Sequence, residues 1–92
     1  MPKLKVAEIT AARKTVPAWR KNGAEISRTY EFPDFAAAMK FVNAVARAAE
    51  QADHHPDINI RWNRVTLALT THSEGGLTAR DFALAKQCDG LV

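Results

Sequence analysis

The chemistry-bearing residues of this chain sit in one stretch. It reads Asp53-His54-His55-Pro56, then two alternating runs, then Thr71-His72, Gly75-Gly76-Leu77-Thr78 and Asp81. All three histidines of the protein are here. Imidazole titrates near neutral pH, so a cluster of imidazoles points first to proton transfer. Two plainer readings stand beside it. A His-His pair can simply decorate a loop. Three histidines can also bind catalytic zinc, although neighbours in sequence reach one metal awkwardly and no H-x-x-x-H spacing is present. Asp81 either caps the helix that follows it or also steadies the His72 loop. Glu50 either supports the histidines or is a solvated helix residue.

The elements around this stretch must bring its two ends together. Ile58, Ile60 and Trp62 alternate with Asn59, Arg61 and Asn63, and after an Asn63-Arg64 turn Val65, Leu67 and Leu69 alternate with Thr66, Ala68 and Thr70. That pattern predicts a β-hairpin, which returns His72 beside His54 and His55. Upstream, Pro33-Asp34 opens the clearest amphipathic helix, with Phe35, Ala38, Met39, Val42, Val45, Ala46 and Ala49 at helical spacing. It runs to about Ala52, with Pro56 starting the strand beyond. Asn22-Gly23 between two extended runs predicts a first hairpin, whose turn residues must both accept positive φ. Its second strand carries Ile26, Tyr30 and Phe32 on one face, interrupted by Arg28. Residues 6–15 predict a short helix with a thin apolar stripe, stopped by Pro17. Thr78 as N-cap and Asp81 three residues into the turn predict a final helix with a capping box, and Leu77 and Phe82 are placed as a hydrophobic staple.

The predicted order is α-β-β-α-β-β-α. Two hairpin-plus-helix units make a four-stranded antiparallel sheet with helices packed on one face, an α+β fold. Ninety-two residues form one domain spanning 1–92. Net charge is +3, with basic residues scattered, whereas a nucleic-acid surface wants a contiguous basic stripe. A single cysteine, Cys88, suits a reducing compartment. No apolar run approaches a membrane span, and Met1-Pro2-Lys3-Leu4-Lys5 lacks a signal-peptide core. The expectation is a cytoplasmic protein with no nucleic-acid or membrane partner.

The run Ala49-Glu50-x-x-Asp53-His54-His55-Pro56-Asp57, with Trp62-Asn63-x-Val65, resembles the pterin-4a-carbinolamine dehydratase family. Thr71-His72-x-x-x-Gly76-Leu77-Thr78-x-x-Asp81 continues the match at the family's spacing, and it extends upstream through Trp19 and Phe32-x-Asp34-Phe35. The resemblance implies dehydration of 4a-hydroxytetrahydropterins to quinonoid dihydropterins in tetrahydrobiopterin recycling, a hydro-lyase activity needing no metal and no cofactor. It implies that His54 and His72 are the acid/base pair and that His55 contacts substrate. Asp53 and the Thr70, Thr71 and Ser73 segment should line the pterin site, Trp19 should lie near the pocket, and Asp81 and Glu50 should support it. Partners implied are the pterin 4a-carbinolamine, further copies in a homodimer or homotetramer, and an aromatic amino-acid hydroxylase. The rival is a non-catalytic dehydratase-like module, since relatives include a dimerisation cofactor of a homeodomain transcription factor and proteins assisting Rubisco assembly. The chain departs from the family at Ile58, where many members carry an aromatic, and in its short N-terminal segment.

Overall fold

The computed structural model describes residues 2–92. Its elements are α1 (Val6–Arg13), β1 (Arg20–Asn22), β2 (Glu25–Glu31), α2 (Phe35–Ala52), β3 (Asp57–Arg61), β4 (Arg64–Leu69) and α3 (Ala79–Asp89), with a 3-10 turn at His72–Glu74. The four strands form one antiparallel sheet in the order β1-β2-β4-β3. The α+β architecture and the element order agree with the sequence pattern.

Alternation decides the two faces of the sheet. Ile26 and Tyr30 of β2 pair with Leu69 and Val65 of β4, and all four are buried together with Leu67. Phe41, Val45, Phe82, Leu84, Ala85 and Cys88 of the helices complete the core. The opposite face carries Ser27, Thr29, Thr66 and Ala68, and there the Thr29 and Thr66 hydroxyls meet at 2.8 Å.

Both turns sit one residue away from their expected places. Asn22 pairs with Glu25, so Gly23 and Ala24 make the first turn, and of the predicted pair only Gly23 has positive φ, at 62°. Arg61 pairs with Arg64, so Trp62 and Asn63 make the second, with Trp62 at φ 51°. The second shift follows from tertiary bonds. The Asn63 amide donates to the Phe32 carbonyl at 2.8 Å, and Phe32 N–H donates to the Asn63 carbonyl at 2.9 Å. Arg64 is thereby drawn into the ladder opposite Glu31.

Helix α2 begins at Asp34 as N-cap, whose carboxylate accepts the Ala37 N–H at 2.8 Å, and Pro33 lies just outside. Its inward stripe is rotated from the expected one. Phe41 and Ala48 are buried, whereas Phe35 and Ala46 face out. Helix α1 ends at Arg13, short of Pro17, and the chain runs on in tighter turns, with Lys14, Thr15 and Val16 N–H donating to the Ala11, Ala12 and Arg13 carbonyls. It buries no residue fully, and Ile9 and Ala12 lean on the core.

Three donors converge on Asp89 at the end of α3. The Trp19 indole, the Arg28 guanidinium and the Tyr30 hydroxyl reach its Oδ1 at 2.9, 2.8 and 2.5 Å. Arg28 thus interrupts the apolar face of β2 without being stranded, and its guanidinium also lies 4.3 Å over the Tyr30 ring. Burial, reinforced by the bond to Asp89, pushes the Tyr30 hydroxyl far above its ordinary range. Burial first, then Asp89, pushes the Cys88 thiol up to about 11.

Candidate active site

The α2 C-terminus sorts the two adjacent histidines. Asp53 takes the left-handed conformation at φ 49°, which ends the helix, and His54 N–H returns to the Ala49 carbonyl at 3.1 Å. From that kink His54 turns inward and is 8% exposed, while His55 stays outside. The reading of a His-His pair that decorates a loop fits His55 alone, because the helix cap drives His54 under α3.

What receives His54 is Asp81, which is 0% exposed. His54 Nε2 and Asp81 Oδ1 lie 2.5 Å apart. Asp81 Oδ2 accepts the Thr78 N–H at 2.9 Å and the Thr71 hydroxyl at 2.9 Å. Thr71 spends its only proton on Asp81, so Thr78 donates across the 3.0 Å contact between the two hydroxyls. Thr78 Oγ1 in turn accepts from Arg80 N–H at 3.2 Å. With the carboxylate accepting on every side, neutral His54 carries its proton on Nε2, assigned from this network, and its Nδ1 is left as a free base. The capping box predicted for Asp81 is present, and Asp81 also orients His54. Through Thr71 it steadies the base of the His72 loop as well.

His72 is presented by a short loop. Thr71 and Gly76 form an isolated bridge, with N–H to O distances of 3.1 and 3.3 Å. The loop between them ends at Gly75, whose φ of 72° suits glycine. His72 and Ser73 are exposed, and His72 lines an open hollow of about 370 Å³ with Asn22, Ala24, Glu25, Thr70 and Gly75. Thr70 is tied across to the first hairpin by its hydroxyl, which donates to the Ala24 carbonyl at 2.6 Å. The hairpin register sets Asp57 against Ala68, so both histidine segments leave the same open end of the β3-β4 hairpin.

His55 Nε2 bonds to Glu50 Oε2 from the last turns of α2, and both side chains are largely exposed, so water screens the pair. Glu50 therefore touches His55 alone. Trp19, expected near the pterin pocket, is 3% exposed, packed edge-on against Tyr30 and bonded to Asp89. Its hydrophobic bulk draws it into the core. Asp53 is exposed, and its role in the structure is the backbone kink.

Arg80 was not singled out from the sequence. Its guanidinium donates to the Ala52 and Asp53 carbonyls at 3.3 and 2.5 Å, clamping the end of α2 to the start of α3. The only signal was its place inside the predicted capping box. Among the described residues, no group of three or more His, Cys, Asp or Glu side chains is arranged to hold a metal ion.

Comparison with known proteins gives this geometry its context. A protein of Acidobacterium capsulatum, provisionally named pterin-4-alpha-carbinolamine dehydratase, is 53% identical over the full length of both chains. One from Nocardia farcinica with the same provisional name is 54% identical over 92% of this chain and 90% of its own. A crystal structure from Brucella melitensis, described as a transcriptional coactivator/pterin dehydratase, superposes with a TM-score of 0.92 at 34% identity, covering 97% of each chain. A pterin dehydratase-like protein, described as a RuBisCO assembly factor in the alpha-carboxysome, gives 0.71 at 26% identity, covering 80% of this chain and 88% of its own. The sequence profile described as pterin 4 alpha carbinolamine dehydratase matches residues 2–91, and the chain belongs to that family.

Proposed function

We propose that the chain catalyses dehydration of a 4a-hydroxytetrahydropterin to the quinonoid dihydropterin. The carrying observation is the buried Asp81–His54 pair, which holds one imidazole nitrogen as a donor and leaves the other as a base. The reaction removes the proton from ring nitrogen N5 and expels the C4a hydroxyl as water once it has been protonated. One base and one acid suffice for both steps. His54 and His72 are the pair in this reading, and His55 contacts substrate. Asp53, Thr70 and Ser73 border the pterin, with Thr71, Asp81 and Glu50 positioning the imidazoles. Self-association into a homodimer or homotetramer, a cytoplasmic setting and supply by an aromatic amino-acid hydroxylase belong to the same reading.

The test is a direct assay of 4a-carbinolamine dehydration. His54→Ala and His72→Ala should each slow it, within the range of about 100- to 10,000-fold typical of general acid–base catalysis. Full activity in both variants and in the double variant would remove the assignment. His54 and His72 reach the pterin from different elements, so their alanine variants should show opposite preferences between the two 4a epimers. His55→Ala should raise KM more than it lowers kcat. Activity should survive exhaustive chelation, and loss that zinc restores would replace this reading with a metal one.

A second reading rests on the two structural neighbours, one described as a coactivator as well as a dehydratase and the other as an assembly factor. In it the chain is a non-catalytic binding module. Wild-type protein that accelerates neither epimer over buffer would favour it.

A further inference from the structure

Arginines that are scattered in the sequence meet on the uncovered face of the sheet. Alternation puts Arg64 in phase with Thr66, and Arg61 in phase with Asn59, which pairs with Thr66. Arg20 pairs with Ser27 on the same face. Two open hollows lie there, of about 710 and 470 Å³, and they share Thr29 and Arg64. Arg61 and Trp62 line the first, and Arg20 and Arg28 line the second. Among the described residues, no carboxylate lines either hollow. Of these four arginines only Arg28 has an ion-pair partner among the described residues, which is Asp89.

The tip of the second hairpin carries two unfavourable features that the fold does not require. Arg61 and Arg64 stand directly opposite each other, and like charges so placed destabilise a sheet. Trp62 takes a positive φ of 51°, which bulky side chains rarely adopt. Its ring gains no burial in return, being 66% exposed. The bonds to Phe32 fix where the turn falls, but they use Asn63 and call for neither an indole nor a second guanidinium. A phosphate-bearing ligand with a flat aromatic ring would use both features. Guanidinium forks take phosphate oxygens in pairs, and an exposed indole offers a stacking surface. The Thr29 and Thr66 hydroxyls line the same hollow and add neutral hydrogen-bonding groups.

The acids of this face limit the length of the occupant. Glu31 stands opposite Arg64, Glu25 opposite Asn22 and Asp57 opposite Ala68, around the hollows without lining them. A phosphate backbone continuing over the sheet would run onto these carboxylates, whereas one compact anion would not.

We propose that this face binds a free nucleoside phosphate, its phosphates held by Arg61 and Arg64 and extending toward Arg20, its base stacked on Trp62. The site lies across the sheet from α3, which holds Asp81 against His54, so it stands whether or not the dehydration reading does.

Adenosine diphosphate is the probe. Calorimetry should show saturable binding with a Kd below about 1 mM. Adenosine and inorganic pyrophosphate, each one part of that ligand, should bind about tenfold more weakly or worse. Arg64→Ala and Trp62→Ala should each weaken adenosine diphosphate about tenfold or more. Both side chains are exposed, and circular dichroism would verify that each variant keeps its fold. Trp19 is 3% exposed, so quenching of tryptophan emission by the nucleotide reads Trp62. Trp62→Phe should keep a stacking ring and the binding while losing the quench. Failure to saturate by about 1 mM would overturn the proposal. So would equal affinity for adenosine or for pyrophosphate, or binding that Arg61→Ala/Arg64→Ala leaves unchanged. A single-stranded oligoadenylate that binds about tenfold tighter per nucleotide would also overturn it, assigning the face to a nucleic-acid strand.

Discussion

Replacing Asp81 by asparagine tests the centre of the site while keeping its shape. The carboxylate accepts from His54, Thr71 and the Thr78 N–H and is 0% exposed. Asparagine has one acceptor oxygen and one donor NH₂. If its oxygen keeps Thr71 and the helix cap, its NH₂ must face His54. A donor now meets Nε2–H, so His54 must move its proton to Nδ1 or break the contact. A buried hydrogen bond to a charged group contributes about 1.5–3 kcal/mol. A domain of this size loses about 4–8 °C of Tm per kcal/mol, so a Tm drop of roughly 6–24 °C follows, below the cost of Asp81→Ala, which orphans three donors. The Nδ1 lone pair would also be lost, removing general-base assistance worth about 100- to 10,000-fold. Thermal unfolding reads the first effect, ¹⁵N chemical shifts of the His54 ring read the tautomer, and the dehydration assay reads the third. A folded variant with an unchanged ¹⁵N pattern and unchanged kcat would refute the idea that Asp81 sets the protonation of His54.

Two further outcomes follow from the other buried polar groups. Asp89→Ala removes the acceptor shared by Trp19, Arg28 and Tyr30, leaving an indole N–H and a phenol O–H unpaired in the core. At about 1–3 kcal/mol for each of these two orphaned donors, the variant should lose about 2–6 kcal/mol in denaturant unfolding, and a loss under 0.5 kcal/mol would show that the cluster relaxes onto water. The Cys88 thiol is raised from 9.0 to about 11 in the folded chain. Its contribution to stability is therefore complete below pH 9 and lost as pH rises through 11. The buried Tyr30 hydroxyl acts in the same direction at higher pH. Unfolding free energy should fall over that window, and Cys88→Ala should flatten the fall between pH 9 and 11. An equally steep decline in the variant would assign it to other groups.

The strands, helices and their order were legible in the sequence because each rests on local periodicity. Val65, Leu67 and Leu69 alternate, Ala38, Val45 and Ala49 recur at helical spacing, and Thr78 with Asp81 marks a helix start. The spacing of the histidine motifs across one hairpin also set both histidine segments at the same end of that hairpin. Residue-level details that depend on partners distant in sequence were not legible. The second turn falls at Trp62-Asn63 because Asn63 bonds to Phe32, which no local rule supplies. Trp19 can be buried because Asp89, at the far end of the chain, accepts a hydrogen bond from its indole N–H.

The three histidines show the division most clearly. Their number, order and neighbours are properties of the sequence, and those alone point to proton transfer. Which imidazole is buried, which carboxylate holds it and which nitrogen stays free were decided by packing. The left-handed Asp53 ends α2, Arg80 clamps that end to α3, and the cap of α3 then holds Asp81 against His54. A sequence lists the donors and acceptors, whereas their pairing depends on distances that only the folded chain sets.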